Sequence, residues 1–379
     1  MGKEYTREEA KIKLNDFIEN KLRNYSKLRN FTYDNQNQLT TSFLSPYISH
    51  GILNETEIII ESLRKHSFLK CQKFIEEIFW RIYWRGWLEL RPKLWSDYMF
   101  TLNKIHDEFK DNDKYIKAIQ GKTNIECFND WVSELKEKNY LHNHVRMWFA
   151  SIWIFTLNLP WQLGAAFFMK YLYDGDSASN TLSWRWVAGI QTIGKHYLAK
   201  EWNIKKFTNA KYENIKVNEK ALPIQNDRNY TPINRSFTNP EILKNTKLLI
   251  FENNLSFEFS DHFSSKFKKI FIVKNNNRKI ELSKNVIDLK NRLIDDQINR
   301  LNKKSIVCDL IDIKDIKKIN EIVYALYPYT GENIDAINSK DMNQIKFLYR
   351  KIDQYSWQYC SKGFFNFKKN IPKIIQQFF

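Results

Sequence analysis

Four residues with chemically useful side chains share one predicted helix face. Glu77, Trp80, Arg81 and Trp84 stand at i, i+3, i+4 and i+7 in a segment whose apolar residues recur at helical spacing. The two indoles offer flat faces that stack on nucleobases or on a flavin. A buried Glu77 needs a hydrogen-bond donor, and the edge of a nucleobase supplies one. On its own, such a stripe is more often structural than functional.

Two more segments carry polar groups near predicted helices. The segment HNHVRM puts Asn143 and Arg146 on one helix face, and Met147 lies one turn beyond Asn143. The segment TTSFLSPYISHG, residues 40–51, offers hydroxyls and backbone amides ahead of Pro46, which suits a phosphate group. Because Ser and Thr commonly cap helices, this second segment is weak evidence by itself.

The segment DGDSASNTLSWRW, residues 174–186, brings two carboxylates close together. Asp174 and Asp176 flank Gly175, which permits a tight turn. Such a pair caps a helix or binds a metal ion, and a nearby cation such as Arg146 is a further partner. Since no histidine joins the cluster, metal binding is the minor interpretation and we expect no metal.

Taken together and in this order, these four segments resemble the FAD-binding domain of photolyases and cryptochromes. The resemblance runs from about Tyr25 to Phe207, and its most specific part is DGDxAxNxxxWxW with the upstream HNxxRM. In that family the domain is all-helical and holds FAD in a U shape. The resemblance implies FAD contacts on the diphosphate side from Tyr25, Thr41, Ser42, Leu44 and Ser45, and around the isoalloxazine and ribityl chain from Arg81, Asn143, Arg146, Asp174 and Asp176.

Asn180 matches the family position that faces the flavin nitrogen protonated on reduction. A neutral amide hydrogen-bonds the flavin there without donating a full proton, which helps to stabilise an anionic, fully reduced flavin. Photolyases typically have Asn at this position, whereas plant cryptochromes have Asp. At this position the chain therefore has the residue that is typical of the repair enzymes.

The resemblance also implies a pocket for a pyrimidine dimer that is flipped out of DNA. Glu77 resembles the carboxylate that hydrogen-bonds the dimer, and Trp80 and Trp186 resemble the aromatic walls. Asn143 and Met147 match the cyclobutane-dimer type, because the enzymes for (6-4) lesions have histidines at these two positions. The implied function is that of a deoxyribodipyrimidine photolyase-like lyase acting under blue light.

In the implied mechanism, excited reduced FAD gives an electron to the dimer, the ring splits and the electron returns. The flavin carries the chemistry, and the protein supplies position and electric field. Glu77 is expected to stabilise the dimer radical anion in a water-poor pocket. Little acid–base chemistry is needed.

One part of the family pattern is incomplete. A chain of three tryptophans delivers electrons to the flavin in the family, and Trp184 and Trp161 match the first two. Glu108 stands at the third position, so the usual exit residue is absent or displaced. Trp148 and Trp153 are the candidate substitutes.

Two other functions therefore remain open. A cryptochrome-like photosensor without repair activity fits the incomplete tryptophan chain, although Asn180, Glu77 and the basic charge argue against it. A nucleic-acid-binding protein with a structural flavin is the third hypothesis, and the presence of Glu77 and Met147 argues against it.

Composition limits the class of protein. The net charge of +17 and pI near 9.4 favour a polyanionic partner such as DNA, although a lysine-rich compositional bias explains them about equally well. No run of eighteen apolar residues predicts a membrane span, and the charged N-terminus lacks a signal core. The four cysteines have no metal-ligand spacing. We expect a soluble, cytoplasmic monomer.

The distribution of residue types predicts two domains. Eleven of the twelve tryptophans lie between Trp80 and Trp202, and this part has helical periodicity. Four short apolar runs after the proline-containing linker alternate with helical stretches, which predicts a small α/β domain with a parallel sheet; the runs are KLLIFE at 247–252, KIFIV at 269–273, SIVCDL at 305–310 and EIVYALY at 321–327. We therefore predict an all-helical FAD-binding domain at 1–210, a linker at 211–243 and an α/β domain of unknown role at 244–379. About 24 residues precede Tyr25, so the family's N-terminal antenna domain is expected to be missing, and no second chromophore is identified.

Overall fold

The computed structural model describes residues 5–33, 40–221, 224, 228–338 and 344–379. Within these ranges, the chain between Arg7 and Phe207 contains twelve α-helices, as the helical periodicity predicts. Their bounds are α1 Arg7–Asp16, α2 Tyr25–Leu28, α3 Ser45–Ser49, α4 Glu55–Lys65, α5 Phe68–Glu89, α6 Pro92–Phe109, α7 Asp113–Gln120, α8 Glu126–Lys138, α9 Asn143–Ser151, α10 Trp161–Tyr171, α11 Ser177–Val187 and α12 Glu201–Phe207.

The longest of these helices, α5, carries the first of the sequence motifs. Its 22 residues bury an apolar stripe that includes Phe74, Ile78 and Ile82, at spacings of four residues. One turn of π-helix, Ile152–Thr156, continues α9, and Pro160 then caps the start of α10. The proline therefore separates two helices, as expected for a residue that cannot donate a backbone hydrogen bond.

The described residues between Phe207 and Thr246 contain no helix or strand. Pro223, which contributes to the predicted linker, lies outside the described residues. The backbone of this segment is held at the end of α5, because Arg91 Nε donates to the Tyr230 carbonyl at 3.0 Å and the Ile233 amide donates to the Leu90 carbonyl at 2.8 Å.

A five-stranded parallel sheet follows, in the order β3-β2-β1-β4-β5. The parallel sheet is as predicted, although β5 was not recognised because its apolar run is only IKFL. The elements of this part are β1 Thr246–Phe251, β2 Phe267–Lys274, α13 Lys284–Asn302, β3 Cys308–Asp312, β4 Val323–Leu326, α14 Glu332–Asn338, β5 Ile345–Leu348, α15 Lys351–Trp357, α16 Phe364–Lys368 and α17 Ile371–Phe378.

The hydrophobic core connects the helices with one face of the sheet. Successive residues of a strand point to opposite faces, so Leu248 and Ile250 of β1 join the large core that includes the helices, while Leu249 and Phe251 join a smaller core on the other face. In the described part of the chain, no helix is long and apolar enough to cross a membrane.

A buried ion cluster also joins the helices to the sheet. Glu55, the first residue of α4, has a side chain that is only 2% exposed. Its carboxylate lies 3.1 Å from Arg85, 3.5 Å from Arg81 and 2.5 Å from Arg350. Arg350 lies between the end of β5 and the start of α15. A carboxylate this deeply buried is tolerated only because several cations surround it.

The ion cluster leads to a prediction about stability and pH. Burial alone would raise the pKa of Glu55, but the nearby guanidiniums outweigh it and lower the pKa from 4.5 to about 2. Because the folded pKa lies below the unfolded one, the stabilisation is complete above pH 4.5 and is lost as the pH falls towards 2. We expect Glu55→Gln to lower the free energy of unfolding at neutral pH by about 3–5 kcal/mol.

Urea unfolding followed at several pH values measures this effect. As the pH falls from 4.5 to about 2, the range between the unfolded and folded pKa values of Glu55, the variant should also lose less stability than the parent protein. Glu8→Gln, at an exposed position of α1, is the matched control and should leave stability unchanged. A stability and pH dependence of Glu55→Gln equal to those of the parent would contradict the role of the cluster.

Candidate functional site

The two carboxylates of the DGD turn have separate partners. Asp176 caps α11 by accepting a hydrogen bond from the Ser179 amide at 2.8 Å, so one of the interpretations of this motif, helix capping, is seen. Asp174 accepts a hydrogen bond from Arg146 at 2.9 Å, and its side chain is 5% exposed. The structure thus brings Arg146 of α9 to the turn between α10 and α11, as the sequence led us to expect.

Two arginines of α5 also face this turn. Arg81 lies 3.2 Å from Asp176, and Arg85 lies 3.6 Å from the same carboxylate oxygen. Burial alone would raise the pKa of Asp176, but these two guanidiniums and Ser179 outweigh it, and the pKa is lowered. Sequence reasoning identified Arg81 and missed Arg85, although the spacing of four residues places both on one face of α5.

Asn180 lies one turn into α11. Its Nδ2 donates a hydrogen bond to the Ala165 carbonyl of α10 at 2.8 Å. An amide whose nitrogen is engaged in this way keeps Oδ1 as the atom that can accept a hydrogen bond from a ligand.

Three buried oxygens beside these residues have no hydrogen-bond partner in the described part of the chain. They are Oδ1 of Asp174, Oγ of Ser179 and Oγ1 of Thr181. An unpaired buried polar atom costs about 1–3 kcal/mol, so adjacent examples indicate a place where a polar ligand completes the bonding. FAD carries N–H groups, carbonyls and hydroxyls that match this mixture of carboxylate, hydroxyl, amide and guanidinium groups, and the residues present therefore fit it.

Four of the five residues predicted for the diphosphate side lie at or just before the start of α3, and the fifth, Tyr25, begins α2. Thr41 Oγ1 is 3.2 Å from the Tyr140 hydroxyl, and the ring of Tyr140 lies under the Arg146 guanidinium at 5.4 Å. Tyr140 therefore links the two groups of predicted residues, and no sequence motif had indicated it. Of the other four, Tyr25 packs on Phe74, Ser42 accepts a hydrogen bond from the Leu44 amide, Leu44 is fully buried and Ser45 begins α3.

Asn143 and Met147 line one cavity of about 420 Å³. Arg29 and Tyr197 also line it, and they connect it to two further predicted residues. Arg29 is ion-paired with Glu77, and the ring of Tyr197 lies 5.7 Å from that of Trp186. The remaining lining residues are Asn30, His144, Trp202, Asn203, Lys206 and Phe207.

Trp80 has a different environment from the one expected of a pocket wall. Its ring stacks on that of Phe364, with a centroid distance of 3.5 Å and an interplanar angle of 10°. Phe364 belongs to α16, near the C-terminus. Glu77, one turn before Trp80, lies 3.3 Å from Lys73 as well as contacting Arg29.

The tryptophans expected to carry electrons lie in two ring clusters. Trp184 contacts Trp153 at a centroid distance of 6.2 Å, and Trp153 contacts the half-buried Tyr115 at 6.0 Å. Trp161 packs instead on Tyr98 at 5.4 Å. Trp153 and Trp148 were the two candidates to replace the missing exit tryptophan. Trp153 contacts Trp184, whereas Trp148 packs on the rings of Trp131 and His144.

In the described part of the chain, no group of three or more histidine, cysteine or acidic residues is placed to hold a metal ion. The four cysteines are free thiols.

Comparison with known proteins finds relatives for the helical part of the chain. Residues 74–221 match the model of the FAD binding domain of DNA photolyase. The deoxyribodipyrimidine photo-lyase of Vibrio cholerae is 27% identical over 195 residues, which cover 50% of this chain and 41% of that protein. The corresponding protein of Streptomyces griseus is 33% identical over 154 residues, which cover 40% of this chain and 33% of that protein.

A bacterial class III photolyase from Agrobacterium tumefaciens is known from a crystal structure and is 27% identical to this chain. The match covers 54% of this chain and 43% of that chain, with a TM-score of 0.46.

The helical fold around the DGD turn and the matched residues define an FAD-binding domain of a flavoprotein. Residues 74–221 are thus an FAD-binding domain of the kind found in the photolyase/cryptochrome family. The chain spans less than half the length of the curated relatives it matches, 41% and 33% for the two named above.

The unpaired oxygen of Asp174 leads to a prediction about flavin binding. Asp174→Asn keeps the shape of the side chain but removes the charge that pairs with Arg146. Because a hydrogen bond to a charged group contributes about 1.5–3 kcal/mol, we expect FAD affinity to fall by roughly 10- to 150-fold. Flavin absorbance per mole of purified protein, and titration of the apoprotein with FAD, measure this.

Asp107→Asn is the matched control, because the side chain of Asp107 is 83% exposed and lies on α6. It should bind FAD as the parent does. Unaltered FAD affinity in Asp174→Asn would show that this carboxylate does not contact the cofactor.

Proposed function

We propose that this flavoprotein is a light-dependent DNA repair enzyme that splits cyclobutane pyrimidine dimers. The observation that carries the proposal is the cavity lined by Asn143 and Met147, whose neighbours lead to Glu77 and Trp186. Asn143 begins α9, the helix that also carries Arg146 to the flavin-site turn. A cofactor site and a substrate-sized cavity thus share one helix.

When bound, reduced FAD supplies an electron to a dimer on excitation by blue light. Arg146, Asp174, Arg81 and Asp176 hold and orient the cofactor, and their fixed charges are in place before the reaction, so no reorganisation is needed. Asn180 presents Oδ1 as a neutral acceptor. The Glu77 carboxylate positions the dimer. When the substrate enters, Glu77 leaves its ion pair with Arg29 and binds the substrate instead.

We further propose that electrons reach the flavin site through Tyr115, Trp153 and Trp184, in that order, and that Trp161, which packs on Tyr98, lies off this path. The first three rings are in successive contact, and Tyr115 is the one that reaches the surface. A tyrosine at the exit loses its phenolic proton to water when it is oxidised. An external thiol reductant then converts the oxidised tyrosine back to its original form.

A photosensor without repair activity is the second candidate. It is favoured by two contacts of the predicted substrate residues, the ion pair of Glu77 with Arg29 and the stacking of Trp80 on Phe364. In this alternative those residues are structural, and light changes only the flavin.

The proposed partner is DNA with pyrimidine dimers, in agreement with the net charge of +17. The relatives carry the name deoxyribodipyrimidine photo-lyase, which supports this substrate class. We propose residues 1–210 as the flavin-binding unit, with a linker at 211–243 and the sheet-containing region at 244–379, and we propose that the protein acts as a cytoplasmic monomer.

A repair assay tests the main proposal. The purified flavoprotein is reduced, mixed with an oligonucleotide that carries one thymine dimer, and kept in blue light or in the dark. Loss of the dimer only in light supports the enzyme. No loss of the dimer in light, together with light-driven reduction of a separate sample that was left oxidised, supports the photosensor.

Glu77→Ala tests the role of the carboxylate. We expect dimer splitting to slow by one to two orders of magnitude, because a preorganised charge beside the substrate is lost, while FAD stays bound. The repair rate and the flavin absorbance are measured together. Glu137→Ala, at an exposed position of α8, is the control, and equal rates in both variants would remove Glu77 from the mechanism.

Trp153→Phe tests the electron path. We expect light-driven reduction of the bound flavin by an added thiol to slow at least tenfold, while repair by chemically reduced protein is unchanged. Trp148→Phe is the matched control, because Trp148 is equally buried but contacts Trp131 and His144. The reduction rate is followed by flavin absorbance, and a slower rate in Trp148→Phe alone would contradict the path.

A further inference from the structure

Helix α16 packs on α5 through one face. Phe364 and Phe367 are buried, and Phe364 stacks on Trp80 while Phe367 lies 5.5 Å from Tyr83. The backbone ahead of α16 is fixed as well, because Arg91 donates to the Ser361 carbonyl at 2.6 Å. These residues repeat at i and i+3, so the residues between them point away from α5.

The opposite face of α16 and α17 is basic and carries an exposed ring. Phe365 is 77% exposed. Residues 354–379 contain four lysines and no acidic residue. Lys368 reaches Glu76 at 2.8 Å, whereas the described ion pairs include none for the exposed Lys362, Lys369 and Lys373.

The buried face of α16 lies on the part of α5 that carries two of the proposed substrate residues. Phe364, the neighbour of Phe365, covers Trp80, and Glu77 one turn earlier on α5 contacts Arg29 at the cavity. Phe365 therefore belongs to a helix that packs on the same stretch of α5. An exposed aromatic ring among unpaired lysines is the combination with which proteins hold single-stranded nucleic acid, by base stacking and phosphate contacts.

We propose that residues 361–373 form a nucleic-acid-binding surface in which Phe365 stacks on an unpaired base and Lys362, Lys369 and Lys373 contact phosphates. This surface lies outside residues 74–221, the region that matches the family model. The inference rests on the proposed function, because DNA is its partner. It further implies a preference for lesions flanked by unpaired bases.

Binding of a fluorescently labelled oligonucleotide with one thymine dimer tests this, by anisotropy at several salt concentrations. The full FAD-containing protein is compared with Phe365→Ala and with the double variant Lys369→Ala/Lys373→Ala. We expect Phe365→Ala to weaken single-strand binding by roughly 5- to 150-fold and duplex binding less, because one stacked base is lost. The double variant should lower the slope of log K against log salt by about 0.7 per lysine.

The controls match exposure and residue type. Phe100→Ala removes a ring that is 75% exposed on α6, and Lys314→Ala/Lys317→Ala removes two exposed lysines near β3. Both should bind DNA as the parent does. Phe365→Trp should retain binding. The flavin absorbance and melting temperature of Phe365→Trp and Phe365→Ala show whether each variant is correctly folded.

The outcomes separate this inference from the proposed function. If the parent binds and repairs DNA, and the Phe365 and lysine variants bind equally well, the surface is wrong and the repair function stands. If the parent binds DNA without repair and the variants bind more weakly, the surface is supported and the repair function is wrong. If the parent binds no DNA, both are overturned.

Discussion

The burial of charge where the sheet meets the helices is the constraint on which the rest of the structure depends. Glu55 is held in a position that is almost inaccessible to water only by the guanidiniums of Arg81, Arg85 and Arg350. Arg81 and Arg85 also face Asp176, the cap of α11. The ions that join the sheet to the helices therefore also contact one wall of the proposed flavin site.

The flavin site and the cavity share α9, which gives the proposed chemistry a simple geometry. Asn143 begins this helix and lines the cavity, while Arg146, one turn later, pairs with Asp174. A rigid helix keeps the distance between cofactor and substrate constant, which an electron transfer between the two requires. The unpaired oxygen of Asp174 then marks the cofactor side of this arrangement.

The C-terminal segment gives the substrate side a feature that lies outside the matched family region. Its aromatic residues divide into two sets, with Phe364 and Phe367 packed on α5 and Phe365 left in solvent. The two faces of α16 make packing against the body compatible with contact to nucleic acid, because the buried face fixes the position of the exposed one.

The sequence by itself determined the helices, four of the five strands and the DGD turn, because periodicity and turn residues are local properties. It also placed Arg146 beside Asp174, through a motif shared with a known family. Only the tertiary structure decided that Arg85 faces Asp176, that Tyr140 contacts Thr41, that Arg29 pairs with Glu77, and that Phe364 covers Trp80. These contacts join residues far apart in the chain, and they depend on how helices pack against one another and against the sheet, which no local spacing encodes.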